Sequence, residues 1–198
     1  MRVVVYSGSF DPIHYGHQAL ARYVATEVEG VDAVWLLVTP RNPLKPDATH
    51  ASFLHRMAMT GLALRDIPHA MPSSFESALP APHYTITTLL ALRQRYPHHE
   101  FSLLIGADNW EIFHSWHRSD EILKEFEILI YPRPGFNVDT SRLPDSVRFL
   151  AGAPLCDISS TIIRNEIAAG HTATRFLHPE VSSYITLNKL YGQSFDRS

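Results

Sequence analysis

The sequence predicts an α/β fold: a doubly wound parallel sheet with helices on both faces, forming a single domain over residues 1–198. Three observations support this prediction. A chain of 198 residues suits one core of ordinary size. Continuous apolar runs, of which Ala33–Val38 is one, are typical of strands buried on both faces of a sheet. These runs alternate along the chain with segments of helical apolar spacing.

The first elements are a strand, a loop and a helix. Residues 3–6 are a short β-branched run that ends at Ser7-Gly8-Ser9, and residues 16–28 carry apolar side chains at helical spacing. Ala33–Val38 then supplies a second strand. This succession predicts a βαβ unit with parallel pairing and a right-handed crossover.

The remaining chain continues the alternation. We predict a proline-rich loop over residues 39–47. We predict strands over residues 101–105 and 127–131, and an edge strand over residues 147–150. Further helices are predicted over residues 52–64, 85–96, 120–124, 159–169 and 179–187. We find no internal repeat and no linker that would divide the chain into two domains.

Composition limits the classes of function. The formal net charge is -3 and the chain lacks a basic stripe, so we expect no nucleic-acid partner. The single cysteine, Cys156, excludes an intramolecular disulfide and a cysteine-based zinc cluster, and it favours a reducing cytoplasm. No apolar run has the length of a membrane-spanning helix, so we expect no membrane partner. The oligomeric state stays open, and a homo-oligomer is compatible with the sequence.

The most informative segment is the loop between the first strand and the first helix, Gly8-Ser9-Phe10-Asp11-Pro12-Ile13-His14-Tyr15-Gly16-His17. Loops after the strands of an open α/β sheet lie at the carboxyl ends of the strands, where ligands bind. Glycine and serine allow the backbone to approach a phosphate, the following helix presents unpaired N–H groups, and two imidazoles can donate to phosphate oxygens. The segment therefore predicts an anion site; a proline-bent loop with two surface histidines is the alternative.

Other interpretations of this loop are weaker. The spacing of His14 and His17 lacks the helical HExxH pattern and an obvious third ligand, so we predict no metal bound by the protein itself. Neither the Walker A pattern nor GxGxxG occurs, which disfavours a P-loop ATPase and a NAD-dependent dehydrogenase.

A second informative segment is Ile158-Ser159-Ser160-Thr161-Ile162-Ile163-Arg164. Serine and threonine are common N-caps, so helix capping alone explains one of these hydroxyls. Capping does not explain Arg164, which follows one turn later. Backbone N–H, hydroxyl and guanidinium groups at such a helix start can converge on the β and γ phosphates of a nucleotide.

With both segments, the sequence resembles the nucleotidyltransferase superfamily that carries (T/S)xGH and ISSTxxR signatures, and within it the nicotinate-mononucleotide adenylyltransferases. The resemblance spans nearly the whole chain. It includes Pro82-His83-Tyr84-Thr85, Ile105-Gly106-Ala107-Asp108, Trp116 and Arg133-Pro134. It implies a Rossmann-like fold and an enzyme of NAD biosynthesis that transfers AMP from ATP to nicotinate mononucleotide. It also implies Mg²⁺ carried by the ATP phosphates.

The resemblance further implies roles for individual residues. ATP is expected to contact Gly8, Ser9, Phe10, His14, His17, Gly106, Asp108, Ile158, Ser159, Ser160 and Arg164. The acceptor is expected to contact Asn42, Lys45, Tyr84, Thr85, Trp116 and Arg133, with the indole stacked on the pyridine ring. The catalytic group implied by the resemblance is His14, His17, Lys45 and Arg164.

The chain departs from the family pattern in its first loop, in its second loop and at two histidines. In the first loop this chain has Ser7-Gly8-Ser9-Phe10, where the family often has Gly-Gly-Thr-Phe. In the second loop it has Asn42-Pro43-Leu44-Lys45, which lacks the histidine of the Pro-His-Lys that many members carry. His83 and His117 stand where the family often has a serine and an aromatic residue. These changes leave acceptor choice more open than reaction type. The alternatives are nicotinamide mononucleotide or phosphopantetheine as acceptor, and a nucleotide-binding module without turnover.

Overall fold

The computed structural model describes residues 1–40 and 50–192. Within these ranges six strands form one sheet: β1 (Arg2–Gly8), β2 (Ala33–Val38), β3 (Ala70–Ser73), β4 (Glu100–Gly106), β5 (Glu127–Tyr131) and β6 (Val147–Phe149). The order across the sheet is β3-β2-β1-β4-β5-β6, and each neighbouring pair is parallel. This is the doubly wound order that the sequence predicts, with a reversal between β1 and β4.

Helices alternate with these strands along the chain. The described residues contain α1 (Tyr15–Glu27), α2 (Phe53–Leu64), α3 (Thr85–Arg95), α4 (Ala107–Glu111), α5 (Ser119–Glu125), α6 (Ser160–Ala168) and α7 (Pro179–Leu187). No helix in this part of the chain is long and apolar enough to cross a lipid bilayer.

Both faces of the sheet are covered because the strand side chains alternate in direction. On one face Val4 and Tyr6 of β1 pack with apolar residues of α1, α2, α6 and α7. On the other face Val3 and Val5 pack with apolar residues of α3, α4 and α5. The loops after β1 and β4 therefore lead to opposite faces, and a crevice forms where they diverge.

The predicted elements are confirmed, with shifts of one or two residues at most ends. Two elements escaped prediction, β3 and α4. β3 contains Pro72 and pairs only with β2, and an edge strand tolerates a proline that a central strand would not. α4 has five residues, which is too short for a helical apolar pattern to show.

Candidate active site

The loop after β1 lies at the point where the strand order reverses. It leads from Gly8 to α1, whose N-cap residue is His14. Phe10 adopts a φ of 47° and is buried. A Cβ at Gly8 would lie only 3.0 Å from the Phe10 ring, so the glycine makes room for that ring. The loop therefore packs closely on the end of β1 while Ser9 stays exposed.

The rings of His14 and His17 stack at the start of α1, with centroids 3.7 Å apart. The backbone N–H of His14 donates to Nδ1 of His17 across 3.3 Å, so a neutral His17 ring carries its proton on Nε2. Nδ1 of His14 is buried and has no hydrogen-bond partner among the described residues. The pair thus combines a ring donor at His17 with an unsatisfied nitrogen at His14.

Both imidazoles are neutral at pH 7 because they are buried. Burial, with a smaller contribution from Arg133, lowers the pKa of His14 to about 4. Burial also lowers the pKa of His17 well below its ordinary value, and His14 and Arg133 lower it further. A neutral ring donates one N–H and carries no charge. Within residues 1–40 and 50–192, positive charge at this site therefore comes from arginine side chains.

Ser159 and Ser160 use their hydroxyls within the protein. Ser159 is the N-cap of α6, and its Oγ accepts from the N–H of Ile162 across 3.2 Å. Oγ of Ser160 donates to the carbonyl of Pro12 across 2.9 Å. Helix capping thus accounts for the hydroxyl of Ser159, as the sequence predicts. The first N–H groups of a helix have no intrahelical partner, and such groups can bind an anion.

Arg164 reaches from α6 back to the first loop. Its Nη1 donates to the carbonyl of Asp11 across 2.7 Å, and its Nη2 donates to Oγ1 of Thr161 across 3.2 Å. Residues 153 positions apart in the chain are therefore bonded directly. The two segments singled out in the sequence, residues 8–17 and 158–164, meet in the structure; together they are called the phosphate side below.

A narrow cleft opens beside the histidine pair. It is lined by Tyr6, His14, Gly16, His17, Leu20, Tyr131, Pro132, Arg133, Pro154, Cys156 and Ile158. A Cβ at Gly16 would lie 2.7 Å from Sγ of Cys156 and 3.1 Å from the His14 ring. Gly16 therefore has no room for a side chain. Because glycine has none, the thiol and the imidazole can approach the first turn of α1.

Arg133 and Asp108 form a charged pair at the ends of β5 and β4. Nε of Arg133 lies 3.5 Å from Oδ1 of Asp108. That oxygen is buried and has no hydrogen-bond partner in the described chain. A Cβ at Gly106 would displace the Asp108 carboxylate from its position, so the glycine lets that carboxylate lie against the backbone. Arg133, predicted to bind the acceptor, thus contacts a residue predicted to bind ATP and also lines the histidine cleft.

The remaining acceptor residues lie at the start of α3 and in the turn before α5. Tyr84 is the N-cap of α3, and its exposed ring stacks on His117 with centroids 4.1 Å apart. Thr85 lines a small cavity that Ser7 of β1 also lines. Trp116 is half-buried and packs on Phe113 with centroids 5.4 Å apart. Residues 84–85 and 116–117 are called the acceptor side below. Asn42 and Lys45 lie outside the described residues.

The Asp11 side chain of the first loop is buried, and no role was predicted for it from the sequence. Its carboxylate accepts from the ring of His50, from the N–H of Ala51 across 3.1 Å and from the hydroxyl of Tyr191 across 2.7 Å. The signal available in the sequence was its position inside the loop segment. Nothing in the sequence pointed to Tyr191.

Arg56 is a second buried charge that the sequence analysis missed. Its Nη1 donates to the carbonyls of Ser9 and Thr39 across 2.7 and 2.8 Å, and its Nε donates to the carbonyl of Ala51 across 3.3 Å. Burial lowers the pKa of Arg56, and Asp11 counteracts this. An arginine within the apolar stretch of α2 was the signal that could have revealed it.

The site offers little to a metal ion. Across residues 1–40 and 50–192, no group of three or more His, Cys, Asp or Glu side chains is placed to hold one. The cleft presents imidazole and guanidinium groups, whereas Mg²⁺ prefers oxygen ligands.

Comparison with solved structures places the fold among known ones. The chain is similar to Plasmodium falciparum nicotinic acid mononucleotide adenylyltransferase complexed with NaAD, with a TM-score of 0.79 at 20% identity, over 96% of this chain and 97% of that one. It is also similar to a putative nicotinate-nucleotide adenylyltransferase from Vibrio parahaemolyticus, with a TM-score of 0.72 at 19% identity, over 98% and 96% of the two chains. At these identities the likeness concerns the fold.

Sequence comparison gives the family. Residues 5–166 match the cytidylyltransferase-like family. The chain is 49% identical to a probable nicotinate-nucleotide adenylyltransferase of Bacteroides fragilis over 89% of this chain and 87% of the relative. It is 44% identical to a protein of the same name from Bacteroides thetaiotaomicron over 93% and 91% of the two chains. The chain therefore belongs to the cytidylyltransferase-like nucleotidyltransferases, and among them to the nicotinate-nucleotide adenylyltransferase family.

Proposed function

We propose that this enzyme transfers AMP from ATP to nicotinate mononucleotide, giving deamido-NAD and pyrophosphate. The observation that carries the proposal is the contact between residues 8–17 and 158–164, made by the bonds from Arg164 to Asp11 and from Ser160 to Pro12. This contact brings two helix N-termini, two imidazoles and a guanidinium together at the carboxyl ends of the strands. Such groups suit a polyphosphate.

The proposed chemistry is a direct displacement at phosphorus. A phosphate oxygen of the acceptor attacks the α-phosphorus of ATP and forms a new P–O bond. The bond from that phosphorus to the oxygen bridging to the β-phosphorus breaks, and pyrophosphate leaves. The protein supplies no nucleophile, so catalysis rests on positioning and on stabilising charge.

The proposed roles on the phosphate side follow from the chemistry of each group. Arg164 provides positive charge, and His14 and His17 provide neutral N–H donors. The unsatisfied nitrogen of His14 can take up a proton when the nucleotide brings negative charge nearby, because an adjacent anion raises the pKa of an imidazole. We propose Gly8, Ser9, Phe10, Ile158, Ser159 and Ser160 as further triphosphate contacts through their backbone. Mg²⁺ enters with ATP as a substrate complex.

The proposed adenosine and acceptor contacts have different support. The orphan Oδ1 of Asp108 is a carboxylate oxygen that lacks a donor, which a ribose hydroxyl can supply, and Gly106 allows close approach. For the acceptor we propose Tyr84, Thr85, Trp116 and Arg133, together with Asn42 and Lys45. We further propose that residues 1–198 form one adenylyltransferase domain that works in the cytoplasm, an interpretation that rests on sequence length and the single cysteine.

The test is a pyrophosphate-release assay with purified enzyme, ATP and Mg²⁺. Nicotinate mononucleotide, nicotinamide mononucleotide and phosphopantetheine are supplied in separate reactions. We expect kcat/KM to be highest for nicotinate mononucleotide by at least about tenfold, a difference of about 1.4 kcal/mol in transition-state binding. A preference for either other acceptor would overturn the substrate assignment. Tight ATP binding without pyrophosphate release for any acceptor would instead indicate a silent nucleotide-binding module.

A further inference from the structure

Tyr191 lies far along the chain from the phosphate side, but its hydroxyl donates directly to Asp11, a residue of that side. Tyr191 follows α7, has a φ of 61° and is 8% exposed. Its hydroxyl donates to Oδ1 of Asp11 across 2.7 Å, over a sequence separation of 180 residues. Burial and the Asp11 carboxylate both raise the pKa of Tyr191, so the phenol stays protonated and acts as a donor.

Asp11 has two functions in this geometry. Its carboxylate accepts from Tyr191, from the N–H of Ala51 and from the ring of His50. Its carbonyl accepts from Nη1 of Arg164. Three donors therefore anchor the side chain of the residue whose carbonyl holds the Arg164 guanidinium.

A buried carboxylate depends on its full set of donors. Asp11 is 3% exposed, so water cannot easily replace a lost partner. Leaving a lone pair of such a group unsatisfied is costly, and the side chain will turn toward another donor. The loop around this buried side chain has to accommodate such a turn, and we expect the carbonyl that holds Arg164 to shift, together with the neighbouring Pro12 carbonyl that accepts from Ser160.

We propose that Tyr191 is a positioning residue for ATP, acting through Asp11 to hold Arg164 in place. This inference rests on the proposed function of the phosphate side, but it makes no assumption about the acceptor. Of the described residues assigned to the acceptor, none shares a hydrogen bond with Tyr191, whose hydroxyl donates to Asp11. Its loss should therefore affect ATP and leave acceptor affinity unchanged.

The test compares Tyr191→Phe with a matched control, Tyr184→Phe, in the full chain. Both substitutions remove one hydroxyl and keep the ring. Tyr184 belongs to α7, and its hydroxyl pairs with Nδ1 of His55 at 3.0 Å rather than with Asp11. The readouts are KM for ATP and for nicotinate mononucleotide, kcat, the melting temperature, and the Kd of ATP with Mg²⁺ by calorimetry without acceptor.

We expect Tyr191→Phe to weaken ATP binding and to lower kcat/KM for ATP, each by about tenfold, with KM for the acceptor changed less than twofold. Tyr184→Phe should leave the kinetic constants and the Kd of ATP within twofold of wild type, even if it lowers the melting temperature equally. Wild-type ATP affinity in Tyr191→Phe would overturn the inference, and so would equal weakening of both substrates. The calorimetric arm decides the matter even if nicotinate mononucleotide proves to be the wrong acceptor.

Discussion

The phosphate side and the acceptor side differ in how firmly the protein holds them. On the phosphate side, His14 is buried and Arg164 and Ser160 are bonded to backbone carbonyls of another segment. On the acceptor side, Tyr84 is 42% exposed, and its ring stacks on the exposed ring of His117. The half with the proposed reactive groups is therefore pre-organised by burial and long-range bonds, whereas the half proposed to bind the acceptor rests on surface contacts.

The largest effect is expected from His17→Ala, which tests the phosphate side directly. Removing a donor aimed at transition-state charge typically costs roughly 10²- to 10³-fold in rate. We expect turnover in the pyrophosphate assay to fall on that order while circular dichroism stays unchanged. His98→Ala is the matched control and should keep wild-type turnover, because this exposed histidine lies just before β4, at the amino ends of the strands. Near-normal turnover of His17→Ala would remove the functional distinction between the two sides.

Gly16→Ala tests whether close packing on the phosphate side matters. Alanine favours helix over glycine by about 1 kcal/mol, but the new Cβ would lie 2.7 Å from Sγ of Cys156, and overpacking costs about 1–3 kcal/mol. We expect lower stability in urea unfolding and about tenfold lower turnover, because the His14 ring must shift. Adding Cys156→Ala should restore part of both losses. A Gly16→Ala enzyme that is more stable and fully active would contradict the packing described here.

The neutral histidines predict how stability depends on pH. The folded pKa of His14 is about 4 against an ordinary value of 6.5, so between these values the unfolded chain binds more protons than the folded one. The stability that depends on neutral His14 is therefore complete above pH 6.5 and is lost as pH falls toward 4. At pH 5 we expect a loss of roughly 1–2 kcal/mol in the free energy of unfolding.

Urea titrations of wild type and His14→Gln at pH 7.5 and pH 5 measure this loss. The glutamine variant should lose less stability between the two pH values than wild type does. Equal losses would show that burial does not keep His14 neutral. The contrast between a buried phosphate side and an exposed acceptor side would then fail.

The smallest effect is expected on the acceptor side, from His117→Ala. The substitution removes the ring on which Tyr84 stacks, and an aromatic pair contributes about 0.5–1.5 kcal/mol beyond burial. We expect KM for nicotinate mononucleotide to rise roughly two- to tenfold, with KM for ATP unchanged. A larger effect on ATP than on the acceptor would show that the two sides are not separable.

The sequence predicted the sheet well because buried strands have a local pattern. The bounds of β2 and β5 matched the prediction to the residue, since Ala33–Val38 and Glu127–Tyr131 are largely continuous apolar runs. The meeting of residues 8–17 with residues 158–164 was also predicted, and the bond from Arg164 to Asp11 confirms that contact.

Other features could not be predicted because they depend on distant packing. The sequence shows two histidines but not their burial, which comes from the surrounding fold and removes their charge. It shows serines at the start of α6 but not that the hydroxyl of Ser160 donates to the carbonyl of Pro12. The bond between Asp11 and Tyr191 spans 180 residues, a separation that no local pattern reports.

That last bond has a consequence for how the protein is made. The ribosome makes Asp11 some 180 residues before Tyr191. A nascent chain therefore carries its histidines long before Arg164 and Tyr191 emerge to complete the proposed nucleotide pocket. Because a ligand stabilises only a state that binds it, ATP bound at the proposed site can assist folding only after Tyr191 has been made.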